Sequence, residues 1–120
     1  MSQRGRAGIA VLALAVQMLV LYAPRAPAVD TGGLPLDKVA HVAAFALPTA
    51  ALILAGAPRR WVIALMAVHA PLSELLQHLL LADRSGDPWD VLADLAGVAL
   101  GAWWAVRAGV RRGADPAMRR

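Results

Sequence analysis

The sequence predicts an all-α protein, a four-helix transmembrane bundle with both termini cytoplasmic, built as a single domain over residues 1–120. Composition comes first: hydrophobic residues make up 59% of the chain, charged residues 17%, and the mean hydropathy is +0.57. An ordinary soluble domain carries about 25% charge. The uncharged residues also fall in four long blocks, the pattern of membrane spans. Finally, the basic residues crowd onto alternate connections between those blocks. Together these exclude a disordered tail, a coiled coil and a water-soluble enzyme of ordinary make-up.

The first apolar block runs over about residues 8–23, with Gln17 its one strongly polar side chain. The second covers about 39–57 and carries Pro48 in mid-span, which a membrane helix tolerates when its neighbours satisfy the freed carbonyl. The third covers 61–82 and holds Pro71, where a kink is expected. The fourth covers about 89–106. Crossing the hydrocarbon takes roughly 17–25 residues at 1.5 Å each, and all four blocks are near that length. Arg4 and Arg6, an apolar run and then Ala26-Pro27-Ala28 also look like a signal peptide with a small-residue cleavage site. Cleavage there would leave three spans in the same orientation. Against it, the run is long for a signal's apolar core, and Arg25 and Pro27 flank the site. Residues 24–36 are rich in Pro and Gly without apolar periodicity and read as an irregular outer loop. The basic tail after Ala108 reads as a cytoplasmic end drawn to anionic headgroups.

Orientation follows from the 12 basic residues. Arg4, Arg6, Arg59, Arg60, Arg107, Arg111, Arg112, Arg119 and Arg120 fall on one side of a four-span arrangement, and only Arg25, Lys38 and Arg84 on the other. The positive-inside bias makes the first side cytoplasmic. A net charge of +4 and a pI near 11.1 do not point to nucleic acid, because backbone binding needs a continuous basic footprint. With no cysteine, disulfides, thiolate metal sites and Cys nucleophiles are excluded. The tryptophans at 61, 89, 103 and 104 lie near span ends, where the interface favours indole.

An ionisable group inside a span costs about 2.5–3.5 kcal/mol even on insertion scales, so those present carry information. Glu74 sits about 12 Å inside the outer boundary at 1.5 Å per residue. Ser73 and Gln77 share its stripe and His78 lies beside it. His69, near mid-span, reads as a packed histidine bonded to a neighbouring helix. Asp37, Lys38 and His41 open the second span on one face. Asp87, Asp90, Asp94, Gly97 and Gly101 step by three and four along the fourth. Gly97 and Gly101 form a G-x-x-x-G pair that admits another helix closely, so this stripe faces protein and not lipid. Three helices therefore present polar stripes at their outer ends. They predict an outward-facing pocket of Asp37, Lys38, His41, Glu74, Gln77, Arg84, Asp87, Asp90 and Asp94.

In this order the residues resemble the pattern of the VanZ-like family of small bacterial membrane proteins. Asp37, Lys38 and His41 match its Asp-Lys-x-x-His, Glu74 and Gln77 its Glu-x-x-Gln, and Arg84, Gly86 and Asp87 the turn leading to Asp90. Gly97 and Gly101 follow, but Asp94 stands where the family has Asn. A carboxylate donates a hydrogen bond only when protonated, and two carboxylates in proximity can share a proton. The resemblance covers residues 36–101. It implies an envelope role at the outer face of the bacterial cytoplasmic (inner) membrane, since the family is named for a protein linked to resistance to teicoplanin, a lipid-tailed glycopeptide. It supplies no reaction and no cofactor.

Three readings of the pocket follow. As a binding site, Lys38 and Arg84 hold the anionic part of an envelope lipid headgroup or a lipoglycopeptide, Arg84 by a bidentate fork. Glu74 and Asp90 then orient those cations, and His41 adds a contact. As an intramembrane enzyme on a lipid-linked substrate, Glu74 is the candidate general base. A metal-assisted version takes His41, Glu74, His78 and Asp90 or Asp94 as ligands for Zn²⁺ or Mn²⁺, without any H-E-x-x-H-type motif in support. As a structural device, pairs such as Asp37–Arg84 or Lys38–Glu74 tie helix ends together, although desolvation makes such pairs weak stabilisers. Ser73 lacks a His–Asp partner for nucleophilic work, and the inner halves lack the acidic groups a proton pathway needs. The leading expectation is lipid or lipoglycopeptide binding, with membrane lipids as partners and no cofactor.

Overall fold

The computed structural model describes residues 1–23, 36–81 and 87–113, the side chains of 112 and 113 excepted. Among these the fold is α1 (Gln3–Tyr22), α2 (Leu36–Leu54), α3 (Arg59–Leu80) and α4 (Pro88–Gly113), with no strand. All four helices are long and apolar enough to cross a membrane.

The helix ends depart from the apolar blocks for local reasons. The Ser2 hydroxyl accepts from the Gly5 amide at 3.2 Å, so α1 starts before its apolar run and takes in Arg4 and Arg6. Helix α2 stops at Leu54, short of residue 57, in a Schellman turn. The Gly56 amide bonds the Ile53 carbonyl and the Ala57 amide the Leu52 carbonyl, both at 3.0 Å. Gly56 takes φ +101°, which a side chain would resist. Helix α3 follows at once from Pro58. At the start of α4 the Asp87 carboxylate accepts from the Trp89 amide at 2.9 Å. Pro88 stands at the first helical position, where its missing N–H costs nothing. Helix α4 then runs on to Gly113, past the expected 106.

Burial is inverted relative to a soluble domain. Large apolar side chains such as Leu12, Leu19, Leu47, Leu65, Val68, Leu79, Leu80, Leu92 and Val110 point outward, and so do Trp61, Trp89, Trp103 and Trp104. The interior pairs a small core with buried polar groups. Leu21, Ala44, Phe45, Val62, Met66, Ala70 and Val98 pack together, while Gln17, His41, Thr49, Ser73, Glu74, Gln77, Asp90 and Asp94 are buried around them. In lipid the interior gains little from apolar burial alone, and close contact between small residues holds helices together. The α2–α4 contact shows this: a Cβ on Gly97 would meet the Val42 carbonyl oxygen, and one on Gly101 the Ala46 carbonyl oxygen.

The starts of α1 and α3 and the ends of α2 and α4 share one end of the bundle. There Gln3 donates to the Ala55 carbonyl. Met1, Arg6, Leu54, Leu100 and Trp104 are among the residues lining an apolar cavity of about 540 Å³ at that end. The start of α2, the end of α3 and the start of α4 meet at the other. Helix α1 is tied in through the Tyr22 hydroxyl, 3.3 Å from His69 Nε2. Phe45 packs on the same imidazole at 5.4 Å between centroids, so His69 is a packed histidine held between neighbours. The small-residue site at 26–28 and the connection up to residue 35 lie outside the described residues.

Candidate functional site

Close packing of α2 on α4 decides which side chains meet. Lys38, in the first turn of α2, reaches the N-terminal carboxylates of α4. Its ammonium donates to Asp87 Oδ2 at 2.7 Å and to Asp90 Oδ1. Asp37 Oδ2 lies 3.8 Å away. Of the two carboxylates expected to orient Lys38, Glu74 and Asp90, the structure pairs it with Asp90. The Lys38–Glu74 pair offered under the structural reading gives way because the glycine seam brings α4 against this face of α2. One turn deeper, His41 Nδ1 lies 2.9 Å from Asp94 Oδ1 and 3.8 Å from Glu74 Oε1. The ring's other nitrogen, Nε2, faces Asp90 Oδ2 at 3.8 Å. Glu74 Oε2 accepts from the Asp87 backbone amide at 3.3 Å, which joins α3 to the start of α4.

The cluster is graded by depth. Asp37 is exposed and Lys38 and Asp87 are partly so, whereas His41, Glu74, Asp90 and Asp94 are buried. The Lys38 ammonium beside Asp87 holds that carboxyl below its ordinary 3.8. Among the described residues, five carboxylates gather round one lysine and one histidine, so the site is acidic. Glu74 Oε1 and Asp94 Oδ2 are buried without a hydrogen-bond partner among the described residues. A cavity of about 340 Å³ opens beside the cluster, lined by Glu74, Leu75, His78, Asp87, Pro88 and Val91. Its lining mixes the polar Glu74, His78 and Asp87 with the apolar Leu75, Pro88 and Val91.

Of the residues expected in the pocket, Asp37, Lys38, His41, Glu74, Asp87, Asp90 and Asp94 come together. Gln77 is buried on the same α3 stripe as Ser73 and Glu74, where the Ser73 hydroxyl donates to the Ala70 carbonyl at 2.8 Å. His78 is exposed and lines the cavity. It falls outside the two groups whose ligand atoms are spaced for an ion, Asp37–His41–Asp90 and His41–Glu74–Asp94. Arg84 lies outside the described residues. Spacing alone did not single out the bond between His41 and Asp94, the deepest in the cluster; its signal was an aspartate one turn beyond Asp90 on the glycine stripe. Comparisons of the chain with family models, with curated proteins and with solved structures returned no match.

Proposed function

We propose that this chain is a VanZ-like envelope membrane protein whose polar end binds the headgroup of an envelope lipid or the polar part of a lipid-tailed glycopeptide. The observation that carries the reading is the meeting of Lys38, His41, Glu74, Asp87, Asp90 and Asp94 from three helices beside a cavity of mixed polar and apolar lining. Its volume of about 340 Å³ suits a headgroup, small-molecule pockets running from about 300 to 1,000 Å³. The apolar lining by Leu75, Pro88 and Val91 suits the start of an acyl chain.

Charge narrows the ligand. Lys38 is already bonded to two aspartates, so an acidic cluster favours a ligand that carries an amino group as well as an anion. The amine meets the carboxylates, and Lys38 with Arg84 takes the anion. The arginine asymmetry supports a reading with the termini in the cytoplasm and this cluster at the outer leaflet of a bacterial inner membrane. In cells exposed to teicoplanin, Glu74→Ala and Arg84→Ala are expected to abolish the protection that wild type confers, with membrane insertion unchanged. Protection untouched by both substitutions overturns the reading.

A further inference from the structure

His41, Glu74 and Asp94 come from three helices and meet in the buried part of the polar end, at 5%, 5% and 0% exposure. One ligand atom from each lies within 4.8 Å of the other two. Among the described residues, Glu74 Oε1 and Asp94 Oδ2 are buried without a hydrogen-bond partner, and polar atoms so placed are strongly disfavoured unless something satisfies them. Charge points the same way. Lys38 is bonded to Asp87 and Asp90, so Glu74 and Asp94 bring two carboxylates that no lysine or arginine meets among the described residues.

We propose that His41 Nδ1, Glu74 and Asp94 form a binding site for a divalent transition-metal ion, Zn²⁺ or Mn²⁺. An ion about 2.0–2.2 Å from its ligands in tetrahedral geometry sets them roughly 3.4 Å apart. The His41 Nδ1–Asp94 Oδ1 and His41 Nδ1–Glu74 Oε1 separations of 2.9 and 3.8 Å bracket that value, the first being a hydrogen bond that the ion would replace. An imidazole with carboxylates and no thiolate selects Zn²⁺ or Mn²⁺ over soft ions, and the two carboxylates match the ion's charge. The remaining ring nitrogen lies 3.8 Å from Asp90 Oδ2, longer than the hydrogen bond by which an outer carboxylate orients a metal-bound histidine. Asp37, His41 and Asp90 form a second set of suitable spacing, but Asp37 is exposed and Asp90 holds Lys38. Three protein ligands leave a position open. Glu74 also lines the cavity of about 340 Å³, so the ion would sit beside that cavity. The site stands independently of the headgroup reading.

The test is metal content by mass spectrometry of the detergent-purified full chain, loaded with Zn²⁺ or Mn²⁺ and desalted. Wild type, Glu74→Gln, Asp94→Asn and Asp37→Asn are compared. Wild type and Asp37→Asn are expected to retain stoichiometric metal. The other two are expected to lose affinity by at least about 10–100-fold, the effect of removing even a supporting group around a metal site. Co²⁺ loading of wild type alone reads the site without relying on variant folding, and visible bands of low-symmetry Co²⁺ are expected. No metal retained and no such bands in wild type overturns the proposal. So does equal retention by folded Glu74→Gln and Asp94→Asn, or loss in Asp37→Asn alone. Lipid retained without metal would sink this site and leave the headgroup reading standing; metal without lipid would do the reverse.

Discussion

Alanine at position 97 strikes the packing that assembles the cluster. Its Cβ would meet the Val42 carbonyl oxygen and lie 3.0 Å from Phe45 Cβ; at position 101 it would meet the Ala46 carbonyl oxygen and lie 3.0 Å from Ala46 Cα. Carbon atoms settle about 3.5–4.0 Å apart, so α2 and α4 must part by roughly 0.5–1 Å. The obstruction is largely backbone, which cannot rotate away. Overpacking of this kind costs about 1–3 kcal/mol, and alanine's better helix propensity returns about 0.8–1.0 kcal/mol. A net loss of up to about 2 kcal/mol per substitution is expected. Gly109 lies on the same helix with nothing within 4 Å of an added Cβ, so Gly109→Ala isolates the propensity gain. Thermal unfolding of the three variants in one detergent separates the effects, with Gly97→Ala and Gly101→Ala below wild type and Gly109→Ala at or above it. His41 immediately precedes Val42 and Asp94 lies one turn before Gly97, so the same parting stretches their 2.9 Å bond. Gly97→Ala as stable as Gly109→Ala would refute this packing.

Further outcomes follow from individual contacts. Among the described residues, Gln17 is buried with Oε1 unpartnered, and its amide nitrogen has only Met66 sulfur at 3.9 Å. Gln17→Leu is expected to be neutral or to stabilise by up to about 1–3 kcal/mol, read by the same unfolding assay; a clear loss would contradict it. Lys38→Met strands the buried Asp90. Because Lys38 is a third exposed, the cost is expected between the roughly 0–1 kcal/mol of exposed pairs and the roughly 3–5 kcal/mol of buried ones. Adding Asp90→Leu should recover most of it; a double variant no better than the single would count against the pair. Asp87 titrates below its ordinary 3.8 because of Lys38. The unfolded chain therefore binds the extra proton, and the stability this contact adds is present above pH 3.8 and lost as pH falls through the depressed value. Asp87→Asn should flatten that acid limb in unfolding midpoints taken against pH, and an unchanged limb would remove Asp87 as its source.

Legibility in the sequence tracks what periodicity carries. Steps of three and four placed Asp90, Asp94, Gly97 and Gly101 on one stripe, and all are buried in the structure. The same spacing grouped Ser73, Glu74 and Gln77, which are buried together. Which stripe faces which was not legible, because it depends on how two helices are rotated against each other. Glu74 and Asp90 both stood as partners for Lys38 in the sequence, and the glycine seam turns it to Asp90 and Asp87. The helix ends were only partly legible. Gly56 before Pro58 is a readable stop that ends α2 early. By contrast, α4 runs beyond its apolar block because arginine and alanine are good helix formers and water is no obstacle to a helix.

The central claim, that polar ends of three helices form one ligand site, is tested most directly by native mass spectrometry. The detergent-purified wild type would be measured beside Glu74→Ala and Arg84→Ala. The expected result is a phosphate-bearing lipid held by wild type and lost from both variants. Wild type without lipid, or lipid held equally by all three, would contradict the claim.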